Sequence, residues 1–158
     1  MASVLRRVNF EQRNKQCVSR SLLGQLAEVH DQLVREMENM EGITRELRPD
    51  ESTFANARWQ ISQASLRKRA LVARIIEFLA ARVAKDTTHA VVAVRTADQQ
   101  LVRKSALHIR TWPLDLIRED WRCYCEASRT IRSYMGAQIS LEKQTLAPLL
   151  RQLADRGL

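Results

Sequence analysis

The chain has 158 residues, 45% of them hydrophobic, with four glycines and three prolines, a composition that suits one domain of a few long helices rather than disorder or a many-turned β fold. The formal net charge is +8 and the pI lies near 10.1, which bears on partners and solubility rather than on fold. No apolar stretch approaches the roughly 20 residues of a membrane-crossing helix. Met1 to Arg20 lacks the apolar core of a signal peptide, and Cys17, Cys123 and Cys125 form neither an even framework nor a C-x-x-C pair, so reduced thiols and a cytoplasmic location are expected.

Residues 1–20 read as a basic leader: Arg6, Arg7, Arg13, Lys15 and Arg20 face only Glu11, which places half of the net charge there. A solvated tail is the plain expectation, and Arg6 and Arg7 are candidate contacts to an acidic partner. Residues 21–158 read as one helical domain. The first helix is predicted from Ser21 to about Leu47, where Leu23, Leu26, His30, Leu33, Met37 and Met40 recur at steps of three and four, ahead of Pro49 and Asp50.

The second helix follows Pro49-Asp50-Glu51-Ser52 and runs to about Ala84, with Phe54, Ile61, Val72, Ile75, Ile76, Leu79 and Val83 on its stripe and Arg58 and Arg69 at the stripe's edge. The third spans about His89 to Trp112, with Val91, Val94, Leu101 and His108 on one face; Pro113 bounds it. The fourth runs from about Pro113 into the Ala147-Pro148 region, with a last segment to Ala154. Ile117, Trp121, Tyr124, Ser128, Ile131, Met135, Gln138, Glu142, Thr145 and Leu149 step along it without a slip. Four long helices with short connections predict an all-α, up-and-down antiparallel four-helix bundle. Trp59, Trp112 and Trp121 are expected in the core or at its rim.

Four polar residues interrupt the inward stripes: His30, His108, Gln138 and Glu142. Burying them costs free energy unless they pair or bind something. His30, His108 and Glu142 are of the types that iron or zinc accepts, and ordinary core hydrogen bonds are the plainer outcome for each. Arg67 and Lys68 read as a solvated face able to meet acidic groups or phosphates. No phosphate-cradling Gly-rich loop, nucleophile elbow or zinc-finger spacing is present.

The stretch Gln138-Ile139-Ser140-Leu141-Glu142-Lys143-Gln144-Thr145-Leu146-Ala147-Pro148-Leu149 resembles the closing helix of hemerythrin-like (HHE cation-binding) domains, whose pattern is His-Ile-x-x-Glu-Glu-x-x-Leu-x-Pro-Leu. Leu26-x-x-x-His30, Leu66 to Ala73, and His108-x-x-x-Trp112 followed by Asp120-Trp121 resemble further motifs of that family, so the resemblance covers roughly residues 21 to 153. It implies a bundle built around a di-iron site, with His30 and Glu142 carried over as ligands. Gln138 stands where a ligating His is expected, and Arg69 and Ala73 stand where the second helix would supply His and Glu. Arg69 either pairs with Glu142 in the vacated space or reaches solvent. The resemblance thus implies a non-enzymatic regulatory or interaction module with a degenerate metal site, no cofactor and an unidentified protein partner. The alternatives are a residual iron or zinc centre sensing O2 or NO, and a basic helical bundle that associates with nucleic acid.

Overall fold

The computed structural model describes residues 2–156. They form five helices and, among the described residues, no strand: α1 (Ala2–Thr44), α2 (Glu51–Ala80), α3 (Lys85–Thr111), α4 (Leu114–Glu119) and α5 (Trp121–Asp155). The expected domain limits at residues 1 and 158 lie outside the described residues.

Two boundaries differ from expectation. The basic leader is not a separate segment, because α1 passes through residue 20 without a break. At 43 residues it is about 65 Å long, and its side chains from Val4 to Lys15 are exposed. The predicted fourth helix is two helices. Asp120 leaves helical geometry at φ −136°, ψ 67°, and its carboxylate accepts the Cys123 amide at 3.1 Å, capping α5. A capped start therefore interrupts the stripe between Ile117 and Tyr124 without turning either out of the core.

Local chemistry accounts for the other ends. The last turn of α1 tightens, with Arg45 and Glu46 amides donating to Gly42 and Ile43 carbonyls. The Asp50 carboxylate caps α2, accepting from the Thr53 amide at 3.0 Å and from the Ser52 and Thr53 hydroxyls. Pro148 sits inside α5, which nevertheless continues to Asp155 because Leu149, Leu150 and Ala154 remain buried beyond it.

α1 packs along α2 and α5, while α3 lies mainly on α5 and touches α2 only sparsely. The core divides into three apolar groups. One holds Leu22 and Leu26 of α1, Leu71 to Leu79 of α2, Val91 and Val94 of α3, and Leu146 and Leu150 of α5. A second, at the far end, holds Met40, Phe54, Ile117 and Tyr124 with Trp112 and Trp121 against them. Leu33, Ala64 and Ile139 lie between. Trp59 is 56% exposed and belongs to none of them.

Candidate functional site

On three helices one polar residue separates the first apolar group from the middle one: His30 between Leu26 and Leu33, Lys68 between Ala64 and Leu71, and Glu142 between Ile139 and Leu146. Helical spacing of three and four places each on its helix's inward face, and the three are at one depth. Glu142 is 0% exposed, His30 1% and Lys68 2%.

The carboxylate of Glu142 is the hub. Lys68 Nζ donates to Oε1 at 2.6 Å, and His30 Nε2 lies 2.7 Å from Oε2. An ionised carboxylate only accepts, so His30 carries its proton on Nε2. Gln138 Nε2 donates to the same Oε1 at 3.2 Å and approaches the Val94 carbonyl at 3.4 Å. The network therefore ties α1, α2, α3 and α5 at one level. Burial works to raise the Glu142 carboxyl, but the bonds from His30 and Lys68 and their nearby charge outweigh it and hold the group below its ordinary value.

Lys68 is the main correction to the sequence reading. Expected on a solvated face among contacts to acidic partners, it is instead the buried cation of the site. Arg69 turns towards α3, where its Nε lies 3.6 Å from Asp98 Oδ2, and its side chain is 39% exposed. Ala73 is exposed. The inward pair at this level of α2 is Lys68 and Val72, one residue earlier than the register that assigned Arg69 and Ala73 to ligand positions. Arg6, Arg7 and Arg67 are exposed, as a surface role would require.

His108 belongs elsewhere. Its ring is 5.7 Å from that of Tyr124, which precedes Glu142 by eighteen residues on α5, about 27 Å along the axis. Burial, then the positive charges of Arg58 and Arg132, push its imidazole below the ordinary value. His30, His108 and Glu142 therefore do not converge.

The residues around Glu142 do not fit a metal centre of the kind the family resemblance implies. His30 is the one imidazole on the carboxylate, and Lys68 presents an ammonium that has no lone pair and would repel a dication. Among the described residues no group of three or more His, Cys, Asp or Glu side chains is arranged to hold a metal ion. Two of the thiols are held protonated: that of Cys123 is pushed up by the Asp120 carboxylate beside it, and that of Cys125 by burial.

A second buried cation went unread in the sequence. Arg132, 6% exposed, donates to Glu41 and Ser128 at 2.6 Å each and to Thr44 at 3.3 Å. The bond from Arg132 is the largest influence on Glu41 and leaves its carboxyl low despite partial burial. Its signal was present, since Arg132 follows Ser128 by one helical turn on the inward face. Among the described residues no helix is long and apolar enough to cross a membrane. No protein-family model, no curated protein and no solved structure matches the chain.

Proposed function

We propose that the chain is an up-and-down four-helix bundle of hemerythrin-like type in which a buried ion-pair layer stands in place of the metal centre, and that it serves in the cytoplasm as a non-enzymatic regulatory or interaction module. One observation carries this reading: Lys68 Nζ lies 2.6 Å from the carboxylate of Glu142, the residue that the family pattern assigns as a ligand. Where a metal would draw the helices together, the ammonium, the imidazole of His30 and the amide of Gln138 do so. The topology is supported by the core. α1 and α3 run from the first apolar group towards the second, while α2 and α5 return, which is the alternation of an antiparallel bundle.

The interaction role is supported by the start of α1, where Val4, Leu5, Val8 and Phe10 are exposed beside Arg6 and Arg7. Such a surface suits a protein partner with acidic and apolar groups. The free thiols of Cys17 and Cys123 are exposed, in keeping with a reducing compartment. The test is metal quantification on freshly purified, untagged protein, with thermal melting before and after a strong chelator. The expected result is no stoichiometric metal and an unchanged melting temperature. Iron near two per chain, or a large chelator-induced fall in melting temperature, overturns the reading.

A further inference from the structure

We propose that the cavity between α2, α3 and α5 is a binding site for a small amphipathic anion, a carboxylate on an alkyl chain, with its head group on Arg58. The sparse packing of α2 against α3 leaves a space of about 320 Å³, at the small end of ligand pockets. It reaches from Arg58 to Lys68, ten residues of α2 or about 15 Å, so an elongated ligand suits it. The walls are mainly apolar, formed by Leu33, Ile61, Leu101, Ile131 and Met135, and the exposed Leu66 and Ile109 lie at the rim.

The charge of the lining selects the sign of the head group. Among the described residues four cations border the space, Arg58, Lys68, Arg69 and Arg132, and no carboxylate does. Three are answered from behind the wall: Lys68 by Glu142, Arg69 by Asp98 and Arg132 by Glu41. Arg58 is not. None of the ion pairs among the described residues includes it.

Its one hydrogen bond is from Nη1 to the Trp112 carbonyl at 3.2 Å, and its guanidinium lies 5.9 Å from the Phe54 ring and 5.8 Å from that of Tyr124. A half-buried guanidinium with donors to spare, on the border of an apolar cavity, is matched by a carboxylate, which accepts two parallel bonds from it. Farther along, the buried Ser65 hydroxyl, which also lines the cavity, has no partner. An orphaned buried hydroxyl is costly, and a polar substituent on the bound chain would satisfy it.

This inference does not depend on the fate of the metal site, since the two groups offered to the ligand, Arg58 and the Ser65 hydroxyl, make no bond to His30 or Glu142. The experiment is calorimetric titration of the full chain with decanoate, with decanol, decyltrimethylammonium and inorganic phosphate as comparisons. Decanoate is expected to bind one per chain, at least about tenfold tighter than decanol, the ratio that one charge-assisted bond supplies; neither the cation nor phosphate should compete. Arg58→Gln should remove that advantage and leave decanol binding within about twofold, while Arg58→Lys, which keeps the charge but loses the fork, should retain part of it. Ser65→Phe, filling the cavity, should abolish both ligands with the helical circular dichroism intact. Failure of decanoate to bind, equal binding of decanol, or unchanged decanoate affinity in both Arg58 variants overturns the proposal.

Discussion

Replacing Lys68 by Met removes the ammonium while keeping most of the stem that packs between Ala64 and Leu71. Glu142 is then left 0% exposed with the His30 bond at 2.7 Å and the Gln138 bond at 3.2 Å as its remaining support. Removing one partner of a buried ion pair typically costs about 3–5 kcal/mol, because the other charge stays buried and uncompensated. For a domain of this size that corresponds to a fall in melting temperature of roughly 6–20 °C. Urea unfolding at pH 7 should report the loss as a lower midpoint at constant slope.

The pH dependence separates this cause from simple loss of packing. In the native protein the Glu142 carboxyl is held low, so its stabilisation is full above the ordinary carboxylate range and is lost as pH falls through the folded value. Without Lys68, burial dominates and raises the carboxyl, which then takes up a proton in the folded state at little cost. The gap between native protein and variant should therefore be widest near neutrality and narrow towards pH 4. The double variant Lys68→Met/Glu142→Leu should regain most of the loss, since an apolar pair of similar volume is often neutral or stabilising where a broken ion pair is not. A loss under about 1 kcal/mol at pH 7, or a gap of the same size at pH 7 and pH 4, would refute the argument.

Two further outcomes are expected. Leu150 is 0% exposed and lies beyond Pro148, so Leu150→Ala should cost about 2–5 kcal/mol in urea unfolding; a negligible loss would mean that the end of α5 does not pack. His108, half-buried and faced by the charges of Arg58 and Arg132, has its imidazole held low, so its contribution is full above the ordinary histidine value and lost as pH falls below it. Midpoints at pH 7.5 and pH 5 should accordingly fall further for the native protein than for His108→Gln, and equal falls would contradict this placement of the ring.

How much was legible in the sequence follows from what each signal measures. Helix content was legible because few glycines and prolines interrupt long runs of three-and-four spacing. The positions of His30, Gln138 and Glu142 were legible because their neighbours Leu26, Leu33, Met135 and Ile139 are large and apolar and fix the register of α1 and α5. The break at Asp120 was not, since the stripe from Ile117 to Tyr124 keeps its spacing across it. The helical state of residues 2–20 was not either: the side chains from Val4 to Lys15 are exposed, and a stretch without a buried face leaves no periodicity to read.

On α2 the site was lost to a rotation of one residue. The inward face between Phe54 and Leu71 is carried by Ala57, Ala64 and Lys68, and small side chains contribute little to an apolar stripe. The gap from Ile61 to Val72 could have been bridged by stepping through Ala64 or Ser65 to Lys68. Aligning a family motif there instead placed Arg69 at the centre, and one residue turns a side chain through roughly 100°, enough to move it from the core to the seam with α3. A lysine on an apolar stripe is ordinarily discounted because its charge resists burial, and it becomes admissible only when a carboxylate at the same depth is already known. Glu142 supplied that condition. Each of the two residues is improbable in the core alone, and each makes the other tolerable, so the pair rather than either member is what a sequence must be searched for.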